Sequence, residues 1–232
     1  MDLSRRSTLP EEMDSGSTSA EDYARCLSDL AKLNRVTFTH RPALRWLARA
    51  TRDLPPGAGV SILDVACGDG DLLRAIHSWA VRRGLKVTLE GIDLNPRAGQ
   101  VAAAATPREM GIVWRTGDLF DYDPQPPPDF IVNSQFTHHL TGAEVIRFLR
   151  WLDRHAARGW FVTDLHRHAL AYYGFPWLAR AAGWHRIVRR DGQISIARGF
   201  RRPDWERLLA DAGIAAEIRS CFPFRHGVGR LK

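Results

Sequence analysis

The sequence predicts an α/β fold, a three-layer sandwich with helices on both faces of a seven-stranded, mostly parallel sheet that ends in an antiparallel C-terminal strand. Three observations predict it. From residue 60 onward, short apolar, β-branched runs alternate with stretches of helical periodicity, the pattern that crossover connections between parallel strands produce. A Gly-containing turn joins the first such run to a helix. The last two runs, 214–220 and 222–228, are separated by a single Cys, which suits an antiparallel pair.

The elements follow in order. Residues 1–18 are polar and Ser-rich, with the turn formers Pro10 and Gly16, and read as a mobile tail before a single domain over 19–232. Within it, 19–56 carries two helices. Tyr23, Leu27, Leu30 and Leu33 recur at helical steps, Leu44, Leu47 and Ala48 do so after Pro42, and Pro55-Pro56-Gly57 closes the pair. The run 60–66 reads as a buried strand, followed by a helix through Leu72, Leu73, Ile76 and Trp79. Further strands fall at 87–92, 112–115, 130–133 and 160–163. A helix begins at Pro96 and an amphipathic one spans 143–155. In 169–202 an Asp191-Gly192 turn sits between Ile187-Val188 and Ile194-Ser-Ile196, and 204–212 is a helix stopped by Gly213.

Composition bounds the function. With 232 residues, 44% hydrophobic and 25% charged, the chain suits one globular domain rather than a disordered or fibrous one. No apolar run approaches the roughly 18 residues of a membrane span, and the first residues lack the apolar centre of a secretory signal, so no membrane and a cytoplasmic location are expected. Cys26, Cys67 and Cys221 are odd in number and far apart, which excludes a disulfide framework and a thiolate zinc site. The net charge is +7. Eight Arg between 180 and 207 face only Asp191, Asp204 and Glu206, so most of that charge sits in one stretch.

The chemistry is densest in Ile62-Leu-Asp-Val-Ala-Cys-Gly-Asp-Gly-Asp71. A strand emptying into a small-residue turn and a helix offers backbone N–H groups and a helix dipole to a ligand. The third Gly of a dinucleotide fingerprint would fall at 73, where this chain has Leu73. Asp64, Asp69 and Asp71 suit a ligand with a positive centre and an amine better than a pyrophosphate. The second strand ends in Gly91-Ile92-Asp93-Leu94, placing an acid where both hydroxyls of a ribose can bond. The third leads to Gly117-Asp118-Leu119, a carboxylate for an adenine amine and a side chain for its ring. Taken singly, Asp64 suits a strand-end turn and Asp118 a helix cap. Their joint order along successive strands favours the ligand.

Over about 60–165 the chain resembles the class I S-adenosylmethionine-dependent methyltransferases, whose sheet is Rossmann-like. The resemblance implies S-adenosylmethionine as cofactor. It assigns Asp64, Gly68 and Gly70 to the methionyl part, Asp93 to the ribose, and Asp118 and Leu119 to the adenine, with Ala66 and Leu94 also among the cofactor-binding residues. Asn133, Ser134 and Gln135, ending the fourth strand, would line the sulfonium end. In such enzymes the methyl is already activated, so the protein must align the acceptor and remove a proton. His138 and His139 lie just past the fourth strand and His166 ends the fifth, and these three are the candidate bases. The box Thr141-Gly-Ala-Glu144 leaves open that one His only packs beneath a helix start. Asp164 with His166 offers two metal ligands, yet Asn133-Ser134-Gln135 stands where catechol-type relatives carry an Asp, so no metal is expected.

Residues 169–202 would form the substrate lid, with Tyr172, Tyr173, Phe175, Trp177 and Trp184 as aromatic walls and the Arg cluster as a cationic rim. The aromatics equally suit packing on the sheet. The expected reaction is O-methylation of a hydroxyl on a small aromatic or polyketide-like acceptor. C-methylation of a phenol or quinol is the alternative. A nucleic-acid methyltransferase and a non-catalytic regulator are more distant readings: the chain lacks the Pro-Pro-aromatic cluster of amino-directed nucleic-acid enzymes, and no nucleic-acid partner is expected.

Overall fold

The computed structural model describes residues 2–15 and 18–232; Gly16 lies outside the described residues. Seven strands form one sheet: β1 (Gly59–Val65), β2 (Lys86–Asp93), β3 (Val113–Thr116), β4 (Phe130–Ser134), β5 (Gly159–Leu165), β6 (Glu217–Cys221) and β7 (Arg225–Leu231). Their order is β3-β2-β1-β4-β5-β7-β6. The first five are parallel, and β7 runs antiparallel to both β5 and β6. The chain leaves β1 toward β2 on one side and returns to β4 on the other, so a crevice opens beyond the carboxyl ends of β1 and β4.

Among the described residues, eight α-helices surround the sheet: α1 (Ala20–Val36), α2 (Arg41–Ala50), α3 (Asp71–Arg83), α4 (Pro96–Ala105), α5 (Gly142–His155), α6 (Ala169–Ala181), α7 (Arg186–Arg198) and α8 (Arg202–Ala212). Strand alternation sorts the core into two layers. Ile62, Phe130, Val132 and Phe161 pack with Trp46 of α2 and Leu73 and Ile76 of α3. Leu63, Ile131, Trp160 and Val162 face the other way, against Phe148 of α5 and Trp205 of α8. Each large side chain buried in this way contributes about 2–3 kcal/mol.

A third cluster holds the elements above the crevice: Cys26 and Leu33 of α1 meet Phe175 of α6 and Ile187, Val188 and Ile196 of α7. Here the structure departs from the predicted Asp191-Gly192 turn. Both residues lie inside α7, because Ile187, Val188, Asp191, Ser195 and Ile196 repeat at helical spacing and all bury. Gly192 is required by space: a Cβ there would stand 2.3 Å from the Phe175 ring.

The segment expected to be a mobile tail lies against this upper layer. Ser7 N–H donates to the Ala197 carbonyl, and Asp191 receives the N–H groups of Glu12 and Met13 at 3.0 Å each. No described helix is long and apolar enough to cross a membrane.

Candidate active site

The turn after β1 is built from left-handed residues: Ala66, Gly68 and Gly70 have φ of 54°, 54° and 74°. Gly68 is left-handed with open space around it, which leaves its backbone approachable, whereas Gly70 accommodates the Trp114 ring, 2.1 Å from where its Cβ would be. The Gly68 N–H donates to Asp93 Oδ2 at 2.9 Å, and Asn95 N–H donates to Oδ1 at 2.9 Å, so Asp93 clamps the turn from the end of β2.

Asp64, Ala66, Gly68, Asp93, Leu94, Asp118, Leu119, Ser134 and Gln135 all line one cavity of about 700 Å³ at the carboxyl edge of the sheet. Of the predicted cofactor residues, two stand apart. Gly70 shapes the turn from behind, and Asn133 is fully buried, its amide donating to the Val65 carbonyl at 2.6 Å to tie β4 to β1. Asp118 also caps a short turn by accepting the Phe120 N–H at 2.9 Å.

The acids in the cavity divide into two kinds. Asp69 pairs with Arg74 at 2.9 Å, and Asp71 with His40 at 3.0 Å and the Asn34 amide at 2.8 Å. Burial would raise Asp71, but His40 and Asn34 hold it below the usual carboxylate range. Both are thus already engaged within the chain, although burial and the neighbouring Asp71 still raise Asp69 despite Arg74. Burial, with Asp71, Asp93 and Asp69 nearby, pushes Asp64 well above that range, and burial likewise raises Asp93. Burying a carboxylate without a countercharge is costly, which a cationic ligand would relieve.

A second cavity of about 340 Å³ lies between α1, α6, α7 and the β6–β7 turn. Its walls are mainly apolar, among them Leu30, Leu33, Leu165, Phe175, Val188 and Ile196. Gln135 and His139 line both cavities, as do Glu11 and Met13. Gln135, at φ 59°, is held by Asn34 at 3.2 Å and Arg225 at 3.4 Å.

The three candidate bases separate. His139 faces both cavities. His138 lines the apolar one and is almost fully buried, its Nδ1 2.7 Å from Asp164 Oδ1 and its Nε2 3.7 Å from Glu11. Burial works to raise Asp164, but His138, Thr137 and the Leu165 N–H bring it down to about 2. His166 is in the lining of neither cavity; its ring packs 4.6 Å from His226 and 5.3 Å from His168. Asp164 is likewise turned toward Thr137 and His138.

The Arg stretch does not rim the apolar cavity, whose one lining arginine is Arg225. Arg198 donates to the carbonyls of His138 and His139 at 2.9 and 2.7 Å, and Arg6 to those of His138 and Leu140. Arg186 and Arg190 pair with Glu12 at 3.1 and 3.6 Å. These cations fix the His loop and the N-terminal segment. Of the predicted aromatic walls only Phe175 lines the cavity.

Glu11, Asn34 and Arg225 carry no local motif. Each reaches the site only through folding, and only a contact map would reveal it.

A methyltransferase-domain family model matches residues 35–217. A trans-aconitate 2-methyltransferase of Mycobacterium tuberculosis (strain ATCC 25177 / H37Ra) is 33% identical over 160 residues, 68% of this chain and 57% of its own length. The chain thus spans little more than half of that relative. One bearing the same name from Mycobacterium sp. (strain KMS) is 28% identical, over 81% of this chain and 69% of its own. The fold matches human N-acetylserotonin methyltransferase in complex with SAM, at TM-score 0.65, 18% identity and coverage of 97% and 60%. It also matches the plantazolicin methyltransferase BpumL, at 0.65, 14%, 95% and 98%. With strand order, cavity and family match in agreement, the chain belongs to the class I S-adenosylmethionine-dependent methyltransferases.

Proposed function

We propose that this chain transfers the methyl group of S-adenosylmethionine to a hydroxyl oxygen on a small, largely apolar aromatic or polyketide-like acceptor. One observation carries the reading: a cavity lined by acids at the sheet edge and an apolar cavity share Gln135 and His139 as a common wall. When bound, the cofactor supplies a methyl on a positively charged sulfur. The residues present fit it. Asp64 and Asp93 are acids raised by burial, and Ser134 Oγ is a buried hydroxyl without a partner among the described residues. Asp93 would hold the ribose, Asp118 and Leu119 the adenine, and Asp64 with the Gly68 turn the methionyl end.

His139, in the lining of both cavities, would take the proton that the acceptor hydroxyl gives up on methylation. Asp164 holds His138 in place, and Arg6 and Arg198 hold the loop that carries both imidazoles. The relatives named for trans-aconitate point to a carboxylate acceptor. Against this, the apolar cavity presents Glu11 and Asp191, and its one lining arginine is engaged by Thr37, Thr39 and the Pro223 carbonyl.

The test has two stages. Calorimetric titration should show S-adenosylmethionine binding that Asp93→Ala weakens by about tenfold or more. Incubation with amphiphilic phenols and with trans-aconitate, followed by mass spectrometry, should then give a methyl ether of the phenol. His139→Ala should slow that turnover by about a hundredfold with cofactor affinity retained. Preferred methylation of aconitate, or of a ring carbon, would overturn the acceptor assignment.

A further inference from the structure

A belt of exposed apolar side chains surrounds the second cavity. On α6, Leu170, Tyr173, Trp177 and Leu178 follow helical spacing and are 70%, 59%, 75% and 42% exposed. Leu170 and Leu178 also line the cavity, so the stripe forms part of its rim. The turn between β6 and β7 adds Phe222, 80% exposed, and Phe224, whose ring stacks on His168 at 4.9 Å. The end of α1 and the turn after it add Val36 and Phe38, and Arg225 ties this turn to β7 through Thr37. Soluble chains seldom leave so many large apolar side chains together on one face, and such a patch marks a surface that something covers.

The charge of this face selects what covers it. The three stretches that build it, 30–52, 165–190 and 218–232, contain no Asp or Glu, while each carries several Arg. The Arg41 guanidinium sits 4.9 Å over the Phe38 ring, and Arg35 and Arg180 are exposed beside Val36 and Leu178. Trp and Tyr on an apolar stripe flanked by arginines match the headgroup zone of a bilayer, where aromatic rings bury their apolar bodies and cations meet anionic lipid.

We infer that this face docks on the surface of an anionic lipid bilayer, with Trp177 and Phe222 as its apolar anchors and Arg35, Arg41 and Arg180 as its electrostatic contacts. The cavity rim then faces the lipid, so that an apolar acceptor passes from bilayer to site without crossing water. That last step rests on the functional reading above, whereas the docking does not.

Flotation with vesicles tests it without any turnover. The full chain should float with vesicles of mixed phosphatidylcholine and phosphatidylglycerol, far less with phosphatidylcholine alone, and less as salt rises. The double variant Trp177→Ser, Phe222→Ser should lose about tenfold or more of that partition while still binding S-adenosylmethionine, since neither residue is in the lining of the two cavities described above. Should that pair fail to fold, Arg35→Gln with Arg41→Gln should cost about tenfold by removing two cations from the lipid surface. Failure of the parent to float with anionic vesicles, or equal flotation of parent and variants, overturns the docking. So does a dimer in sedimentation velocity that the Trp177→Ser variant dissolves, for a second copy would then cover the face.

Discussion

At Asp64 the fold keeps a carboxylate in a setting that disfavours its charge, because burial and the neighbouring Asp71, Asp93 and Asp69 all raise it. A ligand bearing a cation reverses this, so the bound form prefers Asp64 ionised. The sign follows: cofactor affinity falls as pH drops through the raised value of Asp64, by up to about tenfold per pH unit. Calorimetry across pH should show that slope and should show it flattened in Asp64→Asn. Asp164 is the opposite case, held at about 2 in the folded chain, below its ordinary value. Its stabilising contribution is present above about pH 4 and is lost as pH falls through about 2. Asp164→Asn removes the buried carboxylate that accepts from Thr137, the His138 N–H and the Leu165 N–H and bonds the His138 ring, and urea unfolding at neutral pH should show a loss of about 3 kcal/mol.

At the scale of an element, α7 carries the clearest contrast between pattern and structure. Asp-Gly is a strong turn signal, yet α7 runs through it. Tertiary packing decides: Ile187, Val188 and Ile196 bury against α1 and α6, and Asp191 receives two N–H groups from a segment far away in sequence. Gly192 sits where the Phe175 ring approaches, so Gly192→Ala should cost about 1–3 kcal/mol despite its better helix propensity. The same change pushes Phe175 in the wall of the apolar cavity. Steady-state kinetics should show a raised KM for the acceptor, and calorimetry an unchanged affinity for the cofactor.

At the scale of the whole molecule, the N-terminal segment completes both cavities. Glu11 and Met13 lie in the lining of each, and Arg6 grips the His loop. Deleting residues 2–13 should therefore raise the acceptor KM by about tenfold or more and lower kcat, because the His loop loses Arg6 and the cavity a wall. Unchanged kinetics in the deletion variant would show that the segment has no part in the site. The arginines that the sequence suggests as a cationic rim find their use at this scale too. Arg186, Arg190 and Arg198 hold the segment and the His loop to α7.

The sequence by itself determined the sheet, its two helical layers and the acids that end successive strands. Those features are local: strand alternation sets which residues bury, and a strand, turn and helix adjacent in the chain are adjacent in space. Asp64, Gly68, Asp93, Asp118 and Ser134 meet at one cavity for that reason. Only the tertiary structure decided that Asn133 turns into the core, that His166 faces His226, that Asp69 and Asp71 are already paired, and that Glu11, Asn34 and Arg225 line the cavities. Each of these depends on contacts between residues far apart in sequence, whose geometry is set by how the helices dock on the sheet rather than by any local periodicity.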